Sequence, residues 1–190
     1  MNVAVFCGSG FGHAPGYQQI AEAFGRHLAS EGIDLVFGGG KVGLMGVVAD
    51  AVLAGGGRAY GVIPESLRER ELAHPGLTRL DVVADMHQRK ARMNELADAF
   101  VALPGGPGTM DELFEAWTWA QLGYHQKPCA LLNAYGYYDH LLGFVDHMVN
   151  EGFLAPRYAE MLIVEKEPEA VVKALRSYQA PASKWSSQAE

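Results

Sequence analysis

Three stretches of this 190-residue chain carry residue types that can hold a phosphate and move a proton. The first is Pro104-Gly105-Gly106-Pro107-Gly108-Thr109-Met110-Asp111-Glu112. Glycines without a Cβ let backbone N–H groups and a helix N-terminus converge on an anion, and two carboxylates follow at once. Thr109-x-x-Glu112 also fits a capping box, and on spacing alone that is the expected arrangement, with each side chain satisfying a backbone N–H at the helix start. A carboxylate beside a phosphate-sized pocket nevertheless has chemistry open to it, which makes Glu112 a candidate reactive acid. The second stretch is Met86-His87-Gln88-Arg89-Lys90-Ala91-Arg92-Met93. Met86, Arg89, Lys90 and Met93 stand at i, i+3, i+4 and i+7, so two cations share an apolar stripe and need anionic partners. Either Asp111 with Glu112 or a ligand phosphate can supply them. The third is a set of glycine loops, Gly8-Ser9-Gly10-Phe11-Gly12 and Gly38-Gly39-Gly40-Lys41-Val42-Gly43-Leu44-Met45-Gly46. With the first stretch they hold eleven of the chain's 23 glycines. Gly8 and Ser9, with Gly39 and Gly40, are the candidate neighbours of a phosphate.

Other chemistries find no support. The first loop has His13 where the third glycine of G-x-G-x-x-G belongs, and the second strand ends in glycines in place of the acid that holds an NAD ribose. Val42 follows Gly40-Lys41 where a P-loop needs Ser or Thr. G-x-S-x-G is absent, so Ser9 is not expected to be a nucleophile. The seven histidines show no metal-ligand spacing, and His140 and His147 are expected on an outer helix face; no metal and no cofactor are expected. Trp117 and Trp119 fall on different helix faces, so at least one should pack in the core or at a subunit contact.

The elements that must position these residues follow from the hydrophobic pattern. Short apolar runs at 3–7, 33–37, 59–63, 80–83, 99–103, 129–132 and 162–164 read as strands. Helical period lies between them, near 15–30, 43–54, 86–97, 109–122, 138–150 and 168–177. Continuous apolar strands alternating with helices predict an α/β fold: a single Rossmann-like, doubly wound, mainly parallel sheet with helices on both faces. In such a sheet ligands lie outside the carboxyl ends of the strands, where all three glycine loops fall. The domain is expected over 1–178, with 179–190 as a disordered C-terminal tail lacking a periodic face.

Composition narrows the function classes. With 49% hydrophobic and 19% charged residues the chain can bury a sizeable core. A net charge of −7 removes the attraction to a phosphate backbone on which nucleic-acid binders depend. No apolar run is long enough to span a bilayer, and the N-terminus has no basic n-region. Cys7 and Cys129 form no C-x-x-C and are expected to be reduced buried thiols, so a cytoplasmic location is expected.

Taken in order, Phe37-Gly38-Gly39-Gly40 with Gly43-Leu44-Met45-Gly46, Met86-x-x-Arg89-Lys90-x-x-Met93, Pro104-Gly105-Gly106-x-Gly108-Thr109-x-x-Glu112 and Thr118-Trp119-x-Gln121-Leu122-Gly123 resemble the Lonely Guy (LOG) family. The resemblance runs from the first strand to about Gly152. It implies a Rossmann-like homodimer that hydrolyses the N-glycosidic bond of cytokinin riboside 5'-monophosphates or AMP, giving free base and ribose 5-phosphate. It further implies that Arg89 and Glu112 are the catalytic pair and that Gly105, Gly106, Gly108 and Thr109 form the phosphate loop. Glu71, Lys90, Asp111 and Thr118 would be further substrate contacts. Pro107 stands where the family commonly has Tyr, and Asp111 where Glu is common. The alternative is a non-catalytic nucleotide or molybdenum-cofactor carrier on the same fold, which would bind AMP without turnover. Lysine decarboxylation, a label sometimes attached to the family, needs a lysine Schiff base to pyridoxal phosphate, and none of the six lysines is marked out for it.

Overall fold

A computed structural model describes residues 1–68 and 73–181. Seven strands form one sheet: β1 (Asn2–Phe6), β2 (Asp34–Phe37), β3 (Ala59–Pro64), β4 (Arg79–Val83), β5 (Ala99–Ala102), β6 (Cys129–Leu132) and β7 (Leu162–Glu165). Their order is β4-β3-β2-β1-β5-β6-β7, and every pairing is parallel. The chain therefore winds outward from β1 in one direction, then returns and winds outward from β5 in the other. The switch point lies between β1 and β5.

The helices are α1 (Gly16–Ser30), α2 (Gly43–Ala54), α3 (Glu65–Arg68), α4 (Met86–Leu96), α5 (Pro107–Leu122), α6 (Asp139–Asn150), α7 (Pro156–Ala159) and α8 (Pro168–Ser177). Alternation along each strand sends side chains into two cores. Val3 and Val5 of β1 pack with Phe24 and Leu28 of α1, Leu44 and Val48 of α2 and Val171 of α8. Ala4 and Phe6 face the other way, toward Met93 of α4, Leu113 and Trp117 of α5 and Tyr158 of α7. Strands buried on both faces are the reason their sequences read as unbroken apolar runs.

The short helices α3 and α7 and a 3-10 turn at Ala134–Gly136 had no expectation behind them. A single turn shows no usable periodicity. Helix α5 begins at Pro107, two residues before the expected start. Proline's fixed φ and missing N–H suit the first helical position, so Pro107 takes it and Gly106 becomes the N-cap. The capping box expected at Thr109-x-x-Glu112 is therefore corrected: Thr109 lies inside the first turn, and the N-cap, Gly106, has no side chain with which to cap it. A cap of that kind is found instead on α4, where Asp85 accepts from Gln88 N at 2.8 Å and Gln88 Oε1 accepts from Ala84 N at 3.1 Å. Trp117 is buried and its indole N–H donates to Tyr158 O at 3.0 Å, while His140 and His147 are exposed. The expected tail lies, from 182 onward, outside the described residues. Among the described residues no helix is long and apolar enough to cross a membrane.

Candidate functional site

The loops after β1, β2 and β5 meet because these strands are neighbours. Gly8 N donates to Pro104 O at 3.0 Å, joining the first loop to the fifth, and Leu44 N donates to Gly8 O at 3.0 Å, joining it to the start of α2. The contact is tight at Gly43: with φ +54 and an ideal Cβ only 2.3 Å from the Ser9 backbone, this position accepts only glycine.

A cleft of about 290 Å3 opens beside this junction. Gly8, Ser9, Gly106, Gly108 and Thr109 form its glycine-rich side, at the N-terminus of α5. Arg89, Asp111 and Glu112 supply its charges, with Met45 and Met86 as apolar lining. At Gly106 and Gly108 a Cβ would meet nothing within 4 Å, so protein packing does not demand glycine there. The space those missing side chains leave is the cleft itself, with the positive end of the α5 dipole and its first N–H groups directed at it. Thr109 is buried, its hydroxyl folded back so closely on Gly105 that a Cβ on that residue would lie 2.1 Å from Oγ1.

Arg89 is only 5% exposed. Its guanidinium is clamped by main-chain oxygens at two strand ends, Nε donating to Val62 O at 3.2 Å and Nη2 to Gly38 O at 3.0 Å, and Nη1 lies 3.7 Å from Met86 Sδ. The approach to Gly38 is possible only because that residue has no Cβ, which would sit 2.0 Å from Nη2. A buried cation on a cleft wall gives the cleft a standing attraction for an anion. Cys7, also on the wall, is buried, and its thiol is pushed far above the ordinary range by burial and by the charge of Glu112. Cys129 is likewise buried and pushed up to about 12 by burial. Both cysteines are free, as expected for structural thiols.

Not every expected residue reaches the cleft. Gly39 and Gly40 turn away from it: Gly39 has φ +78 and accepts from His74 N at 2.9 Å, and Gly40 forms an antiparallel bridge with Ala73. Gly38 faces the cleft in their place. Lys90 does not line the cleft; its ammonium pairs with Asp111 at 3.2 Å and Glu115 at 3.0 Å. Gly105 sits behind the loop, accepting from Tyr137 Oη at 2.6 Å. Thr118 is exposed on α5 and lines none of this space. Glu71 lies outside the described residues.

Two features carried no sequence signal. Glu115 is one helical turn beyond Asp111, but only the tertiary contact with Lys90 marks it. A second cavity of about 320 Å3 shares Gly8, Ser9 and Gly106 with the cleft and is walled by Phe11, Tyr17 and Tyr137. Tyr137 comes from a segment 120 residues beyond Tyr17, so sequence spacing gives no sign that the three rings meet. Among the described residues no cluster of side chains has the make-up of a metal site.

The chain is similar to proteins already known. A family model described as "Possible lysine decarboxylase" matches residues 45–175. A Rhodococcoides fascians protein named cytokinin riboside 5'-monophosphate phosphoribohydrolase is 52% identical over 177 residues, covering 93% of this chain and 89% of that protein. An Arabidopsis thaliana protein with the same activity in its name is 49% identical over 177 residues, covering 93% of this chain and 82% of that one. Among solved structures, the molybdenum cofactor binding protein of Rippkaea orientalis aligns with a TM-score of 0.70, covering 93% of this chain and 95% of the other. At 22% identity that likeness shows a shared fold alone.

Proposed function

The chain belongs to the Lonely Guy family, and from that membership we propose that it is a phosphoribohydrolase, splitting the N-glycosidic bond of cytokinin riboside 5'-monophosphates or AMP to free base and ribose 5-phosphate. The observation that carries the reading is the meeting of Arg89 and Glu112 on one cleft that ends at the glycine-lined N-terminus of α5. A 5'-phosphate suits the N–H groups of Gly106, Gly108 and Thr109 beside Gly8 and Ser9, and Gly105 supports that turn from behind. The phosphate then anchors the ribose so that C1' faces Glu112, and binding energy far from the reacting bond orients it.

Breaking the bond builds positive charge on C1' and the ring oxygen, which a carboxylate stabilises. Water adds to C1' as Glu112 takes its proton, while the bonding pair leaves with the purine nitrogen, which takes up a proton from solvent as Glu112 returns its own to solvent and regains its carboxylate form. Arg89, rigid and always charged, holds anionic groups in the cleft. Asp111, on the same wall, is suited to a ribose hydroxyl. Lysine decarboxylation fits less well, because a Schiff-base lysine must lose its proton, whereas the pairing of Lys90 with Glu115 and Asp111 holds it charged.

The reading extends to a homodimer in the cytoplasm. Exposed rings at Phe144, Phe153 and Tyr124 support self-association, which light scattering tests, and the two free thiols fit a reducing compartment.

The test of the reaction is chromatographic detection of released base from AMP, isopentenyladenosine 5'-monophosphate and the corresponding nucleosides. Glu112→Gln and Arg89→Ala should each lower kcat/KM by about 10²-fold or more with the fold retained by circular dichroism. Nucleosides should be cleaved far more slowly than their monophosphates. Full activity in Glu112→Gln would sink the mechanism, and equal rates with and without phosphate would show that the glycine loop is misread.

A further inference from the structure

Glu112 borders two spaces. Besides the cleft it lines a small cavity of about 10 Å3, room for about one water, shared with Lys90, Glu115, Phe6 and Phe100. Lys90 follows Arg89 in α4, yet its ammonium is turned to this cavity, where Glu115 holds it at 3.0 Å and Asp111 at 3.2 Å. Its side chain is 14% exposed and that of Glu115 27%, so solvent screens the pair only in part. Burial disfavours the ammonium, but the bonds to Glu115 and Asp111 outweigh it and hold Lys90 above the usual lysine range.

We propose that Glu115 and Lys90 form a positioning pair behind Glu112 that sets the charge state of that carboxylate. The inference rests on the assignment of the hydrolytic step to Glu112. Among the described residues, the titratable groups bordering the two spaces are Arg89 and Lys90 from α4, Asp111 and Glu115 from α5, and Cys7 just after β1. Cys7 stays a neutral thiol. The two cations favour the ionised form of Glu112, and Asp111 and Glu115 oppose it. Glu115 has a double effect: its own charge raises the proton affinity of Glu112, and it draws the Lys90 charge to itself. Lys90 works in the opposite sense.

Opposite signs from two members of one ion pair form a signature that a merely structural contact does not produce. Two readouts test it: the acid limb of the kcat/KM profile for AMP, and the titration of the 13C-labelled Glu112 carboxyl in the ligand-free protein, assigned with Glu112→Gln. Glu115→Gln should move both midpoints down by about one pH unit, and Lys90→Gln should move them up by about one. The double variant should return close to wild type, and Glu115→Asp, which keeps the charge, should stay there. Singles that shift in the same direction, or variants that lose thermal stability with unmoved midpoints, would overturn the inference. Failure of the wild type to release base would overturn the hydrolase reading instead, and the carboxyl titration still decides the role of the pair.

Discussion

Arg89 shows how one side chain is made rigid by what its neighbours lack. Its Nη2 donates to Gly38 O at 3.0 Å through the space a Cβ would fill, and its Nε holds Val62 O at 3.2 Å. Gly38→Ala puts a methyl group 2.0 Å from Nη2, so the guanidinium must leave its clamp or β2 must shift. The expected result is a loss of about ten-fold or more in kcat/KM with a smaller change in melting temperature; wild-type activity would show that the clamp does not place Arg89. At this scale the sequence is partly legible. The spacing of Arg89 between two methionines reveals a buried cation, because helical period converts directly into a shared face. It does not reveal what the cation meets, since Gly38 and Val62 are 51 and 27 positions away. The same limit hides Glu115, and it explains Lys90: adjacent to Arg89 in sequence, it lies about 100° further round the helix and reaches a different cavity.

Helix α4 is the element that carries Arg89, and its register is fixed at its first turn. Asp85 accepts from Gln88 N at 2.8 Å and Gln88 Oε1 accepts from Ala84 N at 3.1 Å, so two main-chain donors are satisfied within one turn of Arg89. Asp85→Ala should cost about 1 kcal/mol of stability, a fall of about 2–4 °C in melting temperature for a chain this size. Asp85→Asn or Asp85→Ser should restore most of it, and calorimetry on the three variants separates a cap from an unrelated surface effect. The contrast with α5 is instructive. Thr109-x-x-Glu112 satisfies the pattern of a cap, but Pro107 claims the first helical position, which leaves the first turn to Gly106 and its N–H groups open to the cleft. A local motif is read correctly only when the element boundary is right, and boundaries are where local signals compete. Strands and long helices were legible because burial on both faces and amphipathic period are sustained over many residues; α3 and α7, four residues each, were not.

At the scale of the whole molecule the cleft belongs to neither layer alone. Its floor comes from loops after β1, β2 and β5, which straddle the switch point. Met45 of α2 reaches it from the layer packed with α1 and α8, and Arg89 and Glu112 from the layer packed with α7. Unfolding either layer therefore destroys the site, so ligand binding energy should register in global stability and not only in local loops. Ribose 5-phosphate at 100 times its dissociation constant should stabilise the fold by about 2.7 kcal/mol. For 190 residues that corresponds to about 5–10 °C in melting temperature. Ribose at the same concentration should give almost no shift, because the anchoring phosphate is missing, and Arg89→Ala should lose most of the response to the phosphorylated sugar. A shift unchanged in Arg89→Ala would place the phosphate elsewhere on the molecule. A shift confined to hydrogen exchange in the glycine loops, with global melting unmoved, would mean that the two layers do not share the site.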